Sequence, residues 1–216
     1  TDRLAVSVDI VLSATDGEVK SFDIFPSVIN SNARLSYDQA QALIDAAKDS
    51  VVQDFREQPA PFGAVTLDDE TICELHAKIV YAKRLSELLH ARRFAAGCME
   101  FNRVEARAIL DKNNDPIGIR YRRRTDATKL IEEAMILANN LVARLLTERA
   151  MPCIYRTHAA PGHDALFALY EILQEFDAYK ALDKTSFCAG NPHVLQELLA
   201  IPVDEQTHEM VSMLLL

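Results

Sequence analysis

Apolar residues in the first thirty positions recur at every second place, the period that lines one face of a β-strand. Leu4, Val6, Val8, Ile10 and Leu12 make one such face, and Glu18 to Ile29 reads as the partner strand. Between them lies Ala14-Thr-Asp-Gly17, where Asp-Gly supplies the positive φ of a tight hairpin turn. Pro26 and Ser27 predict an edge or a bulge near the end of the second strand, because proline cannot donate to a ladder. The period then lengthens to that of a helix. Ser36 stands as an N-cap with Gln39 at capping-box spacing, and the helix is predicted to run to about Lys48. Residues 57–66, with Pro59, Pro61 and Gly63, read as a loop. Leu67 to Phe94 reads as one long helix with Asp68 and Asp69 in its first turn, and Gly97 breaks it. Its core stripe is Ile72, Leu75, Ile79, Ala82, Leu85 and Leu89.

Met99 to Leu110 and Ile117 to Arg124 read as a second hairpin around Asp111-Lys-Asn-Asn-Asp-Pro116. Thr125 or Asp126 caps the next helix, which runs to about Arg149 with Ile131, Met135, Ala138, Val142 and Leu145 as its buried stripe. A short strand at Cys153 to Thr157 follows, then a helix from about His163 to Phe176. Two short helices close the chain, at His193 to Leu199 and from Asp204 onward. Antiparallel hairpins with helices between them make the class α+β. No internal repeat or low-complexity linker interrupts the pattern.

Composition narrows the reading. The 216 residues are 49% hydrophobic and 25% charged, which suits a globular chain with a core and not a disordered tail. The formal charge of −9 argues against a generic nucleic-acid coat, though a focused site can still be locally basic. Cys73, Cys98, Cys153 and Cys188 form no CxxC pair, so they read as reduced core thiols of a cytoplasmic protein rather than a zinc site. No signal peptide opens the sequence and no apolar run is long enough to span a bilayer. The sequence starts almost at once in a strand and stops in the apolar pattern Glu209-Met-Val-Ser-Met-Leu-Leu-Leu216. Residues 1–216 are therefore expected to be a single segment cut from a longer protein.

The chain has no glycine-rich phosphate loop, no GxSxG elbow and no HExxH. Glu132 and Glu133 are adjacent on a helix and point about 100 degrees apart, so they cannot form one dyad. One lies nearer the buried stripe; alternatively both are solvated acids near a helix start. Asn139 and Asn140 in mid-helix point to a polar contact with a loop or ligand, or to a simple backbone bond. Arg120, Arg122 and Arg124 share one strand face, with Arg123 beside them. That row suits phosphates, or else ion pairs with Asp126 and Glu132. Tyr37 opens a helix and Phe101 lies near a polar run, and each alone reads as well for core as for ligand. Arg156 and His158 alternate with Tyr155 and Thr157, which can mark a site mouth or a structural histidine.

The run Lys129-Leu-Ile-Glu-Glu-Ala-Met-Ile-Leu-Ala-Asn-Asn-Leu-Val-Ala143, followed by Ile154-Tyr-Arg-Thr-His158, resembles the central helix and following strand of the RNB domain. That is the catalytic domain of the ribonuclease II and ribonuclease R exoribonucleases. Asn30-Ser-Asn-Ala-Arg-Leu-Ser-Tyr-Asp-Gln-Ala40 and Gly97-Cys-Met-Glu-Phe101 are similar to two further family segments, in collinear order. The resemblance implies a partial RNB fold and a hydrolytic 3′-to-5′ exoribonuclease acting on single-stranded RNA. It implies that Tyr37 and Phe101 are the two jaws of a clamp on the base at the RNA 3′ end, facing one cleft. Glu132 is implied to contact the terminal nucleotide beside them. Magnesium, held by clustered aspartates, is implied for the parent enzyme, as are flanking cold-shock and S1-type domains and the rest of the RNB domain as partners. The sequence departs from the family in lacking that aspartate cluster and the downstream arginine segment that grips the scissile phosphate. The segment alone is therefore expected to be inert and to bind no metal. Two other classes stay open: a non-catalytic RNA-binding or regulatory RNB relative, and a structural, partner-binding helical domain.

Overall fold

Strand β1 (Arg3–Leu12) and strand β2 (Val19–Ile29) pair antiparallel, as the alternation predicts. Gly17 closes the turn at φ 66°, donating its N–H to Ser13 O, while Ser13 N–H donates to Glu18 O. The computed structural model describes residues 2–46, 68–101, 105–122, 124–157 and 159–215. The loop expected at 57–66, the helix end expected at Lys48, Arg123 and His158 lie outside the described residues. Pro26 sits opposite Val6 in a two-stranded ladder, where each strand keeps an outer edge that needs no donor. The bulge falls at Val11/Leu12 beside the turn, not near Pro26. The alternating face is half-buried at Val8, Ile10 and Leu12 and exposed at Leu4 and Val6. Alternation selects a face; it does not supply a layer to cover it.

Two compact units make up the chain, residues 1–92 with 124–154, and residues 93–123 with 155–216. The first holds the β1–β2 ribbon and helix α1 (Tyr37–Asp45), and most of helix α2 (Asp69–Ala95). Helix α3 (Asp126–Glu148) completes it. Its core is built on Leu43 and Ile72, with Leu35, Ala46 and Ile79 packed around them. A side chain added at Gly17 would touch Leu88 and Leu89, so the turn end of the ribbon lies on α2. The Arg144 guanidinium of α3 stacks over the Phe22 ring of β2, 4.7 Å from its centre. The stripe expected along α2 is correct, with Ile72 buried and Leu75, Ile79, Ala82, Leu85 and Leu89 partly buried. Along α3 it is rotated. Ala127, Glu133 and Leu141 are the buried positions, whereas Ile131 and Met135 are exposed.

The second unit holds the hairpin of β3 (Glu105–Leu110) and β4 (Pro116–Arg122) and four helices. These are α4 (His163–Leu173), α5 (Lys184–Cys188), α6 (Pro192–Ala200) and α7 (Glu205–Leu214). Leu166, Leu169 and Leu173 of α4 meet Phe187, Leu195, Leu198, Val211 and Tyr179 in one fully buried cluster. Burial pushes the Tyr179 hydroxyl above its ordinary range. Helix α5 has no periodic signal in five residues, yet its Asp183 cap accepts from Ser186 N–H and its Phe187 fills the centre of that cluster. Of the strand expected from Met99, Glu105–Leu110 is present, Met99 packs on the helical cluster instead of pairing, and residues 102–104 lie outside the described residues. Residues 151–157 make no ladder either. Ile154 is 99% exposed, and no strand among the described residues lies beside it. The cysteines also depart from expectation, since only Cys188 is buried while Cys73 and Cys153 are exposed. Among the described residues no helix is long and apolar enough to cross a membrane.

Gly97 ends α2 at φ 92°, and a Cβ there would lie 2.9 Å from Pro192 Cβ and Cγ. Gln196 of α6 donates to Phe94 O and Cys98 O on either side, both at 2.8 Å. The close approach and the backbone conformation both demand glycine. Gly97→Ala is therefore expected to lower the unfolding free energy by about 1–3 kcal/mol. Gly162→Ala, where a Cβ meets nothing within 4 Å, is the control and should change little in urea denaturation.

Candidate nucleic-acid interface

Tyr37 is the first residue of α1, directly after the Ser36 cap. Ser36 Oγ accepts from Gln39 N–H at 3.2 Å, and the Gln39 side chain accepts from Ser36 N–H at 2.8 Å. This reciprocal box fixes the direction in which the helix starts, and so the backbone position of Tyr37. The ring is 43% exposed. Four residues on, along the same face, the Gln41 side chain accepts from Ala127 N–H at 3.0 Å. Ala127 is in the first turn of α3, where backbone donors have no partner within the helix. The neighbouring donor is satisfied by Thr125, whose hydroxyl accepts from Thr128 N–H, so Thr125 and not Asp126 is the cap. The Gln41 amide nitrogen donates in turn to Asp45 Oδ1 at 2.8 Å. Helices α1 and α3 pack together around this bond.

Glu132 lies two turns into α3, and its carboxylate is held by Arg124. Arg124 Nε donates to Glu132 Oε2 at 3.0 Å and Nη2 approaches the same oxygen at 2.8 Å. The Glu132 side chain remains 37% exposed, against 20% for Arg124. Glu133 is 3% exposed, so the pair of acids divides as the helix geometry requires, one inward and one outward. The idea of two solvated acids fails at Glu133. Asp126 faces Lys83 of α2 at 3.7 Å. Lys83 is held above its ordinary range by its bond to Glu87 and by the two acidic neighbours.

Tyr37 and Glu132 thus belong to one unit, on two helices joined by a part-buried bond. Phe101 is half-buried and belongs to the other unit. Asn139 and Asn140 are exposed on the helix surface. Of the two roles open to Arg124, the ion pair with Glu132 is present. Arg120 and Arg122 lie on β4 opposite Arg107 and Glu105. Arg156 is exposed and lies on no strand. Gln41 was invisible to pattern reading, because a glutamine one turn into a helix looks like an ordinary surface position. Among the described residues no three His, Cys, Asp or Glu side chains gather in a way that could hold a metal ion.

The model of the RNB domain matches residues 1–216, the whole chain. The chain belongs to the RNB family. Ribonuclease R of Thermotoga maritima is 31% identical over 216 residues, covering 99% of this chain and 27% of the relative. Ribonuclease R of Escherichia coli is 29% identical, covering 100% of the chain and 24% of the relative. The chain thus spans about a quarter of the length of these curated RNB relatives. Among solved structures, Mycoplasma genitalium ribonuclease R in complex with double-stranded RNA matches with a TM-score of 0.73. It is 24% identical, and the match covers 100% of this chain and 34% of that one. The same enzyme in complex with ribose-methylated single-stranded RNA matches at 0.72, covering 30% of that chain. The mixed helix and antiparallel-strand architecture is thus that of an RNB fold.

The Gln41 bond yields a direct test within the RNB segment. Gln41→Leu leaves the buried Ala127 N–H without an acceptor and should cost about 1–3 kcal/mol of stability. Gln41→Glu keeps an acceptor at the helix N-terminus and should lose less than half as much. Chemical denaturation of the two variants side by side checks the difference.

Proposed function

We propose that this segment supplies the grip on the RNA 3′ end in a hydrolytic 3′-to-5′ exoribonuclease that degrades single-stranded RNA. The observation that carries the reading is the Gln41–Ala127 bond, which couples the helix opening at Tyr37 to the helix bearing Glu132. In this reading Tyr37 and Phe101 each offer an aromatic face to a base near the RNA 3′ end. Stacking on an aromatic face is sequence-tolerant, because every base has a π-face, and contributes about 1–3 kcal/mol per base. Glu132 is the contact to the terminal nucleotide. A carboxylate only accepts hydrogen bonds, so its partner must be a donor, and the ribose hydroxyls are donors. RNB-family membership and the likeness to ribonuclease R support the reaction class. In this proposal magnesium serves the intact protein and is held outside the described residues. Cold-shock and S1-type domains and the remainder of the RNB domain are its intramolecular partners, and it works in the cytoplasm.

The proposal predicts a specific pattern in the intact protein. Tyr37→Ala and Phe101→Ala should each weaken binding of a single-stranded oligoadenylate roughly 5- to 150-fold, the equivalent of one lost stack. Shortened products should accumulate more slowly and less completely on a gel. The same assay on residues 1–216 alone, with magnesium, should give no product and only weak binding. Unchanged affinity in both aromatic variants sinks the clamp. Degradation by the isolated segment, abolished by a substitution inside it, sinks the division of labour.

A further inference from the structure

The Arg124–Glu132 pair raises a question of charge. A bare carboxylate beside an RNA chain meets phosphodiester anions, and the chain as a whole is already at −9. Glu132 nonetheless keeps over a third of its side chain in contact with solvent. Nε and Nη2 of Arg124 converge on Oε2 of Glu132. Arg124 is set just before the Thr125 cap, and the Thr125–Thr128 box fixes how the chain enters α3. Glutamate side chains on a helix lean toward its N-terminus, so Glu132 reaches back toward Arg124 across two turns. The result is a carboxylate with one oxygen held by the guanidinium, on a side chain that stays partly open to solvent.

We propose that Arg124 is a positioning residue for RNA recognition. It cancels the charge of Glu132 and orients Oε1 to accept from a ribose hydroxyl, without touching RNA itself. This rests on the assignment of Glu132 to the terminal nucleotide made above. It goes further in assigning the sugar selectivity of the contact to a residue that binds through another.

The test measures affinity of the intact protein for an oligoadenylate and for its all-deoxy counterpart, by fluorescence anisotropy with chelator present. Arg124→Met should weaken RNA binding about tenfold and DNA binding less than twofold, since the deoxy chain lacks the 2′-hydroxyl donor. Arg124→Lys keeps the charge but only one contact and should lose roughly threefold. In a Glu132→Gln background, Arg124→Met should cost nothing more, because Arg124 acts only through Glu132. Equal losses on RNA and DNA, or a full additional loss in the Glu132→Gln background, overturn the proposal, for they mean a structural or a direct phosphate role. No loss in Arg124→Met beside a clear loss in Glu132→Gln overturns it too. If Glu132→Gln itself leaves RNA binding unchanged, the terminal-nucleotide assignment fails and the positioning role falls with it.

Discussion

A single hydrogen bond, from Ala127 N–H to the Gln41 side chain, ties together the two helices that carry Tyr37 and Glu132. A helix start leaves backbone donors that must find acceptors, and burying one without a partner costs about 1–3 kcal/mol. Here the acceptor comes from another helix, 86 residues away in sequence. The bond therefore ties the position of α1 to the first turn of α3, so that Tyr37 and Glu132 are placed by one constraint. Two capping boxes, Ser36 with Gln39 and Thr125 with Thr128, set the direction of each helix at the same ends. The candidate residues Tyr37 and Glu132 lie in the first two turns of their helices, close to these caps.

Local chemistry was the legible part. The Asp-Gly turn, the Ser36 box, the long α2 stripe and the break at Gly97 were all set by short-range rules, and each is present. The features that went astray depended on distant partners. A strand at 151–157 needs a neighbouring edge, and the pattern of Cys153 to Thr157 cannot say whether one exists. The stripe on α3 was assigned from apolar residues alone. In the structure Glu133 takes a buried place while Ile131 and Met135 face outward, so composition misjudged the orientation of the helix. Cys73 and Cys153 were read as core for the same reason.

The candidate site shows the same division. Glu132 could be separated from Glu133 by helix geometry, and Arg124 could be proposed as its ion partner from proximity in sequence. Gln41 could not be singled out, because its role is defined by a backbone donor far along the chain. Physics alone leaves Tyr37, Phe101 and Glu132 scattered, and only the proposed function gives them a common substrate. RNB membership covers the full 216 residues, and the chain spans about a quarter of the length of the ribonuclease R relatives.

The most direct test of that account is to locate the RNA end. A single-stranded oligonucleotide carrying a photoreactive base at its 3′ terminus, bound to the intact protein and irradiated, marks the side chains that face the base. Mass spectrometry of the crosslinked peptides should find Tyr37 and Phe101 as the principal sites within this segment. Crosslinks confined to other parts of the segment, such as the exposed end of the β1–β2 ribbon at Leu4 and Val6, would contradict the account.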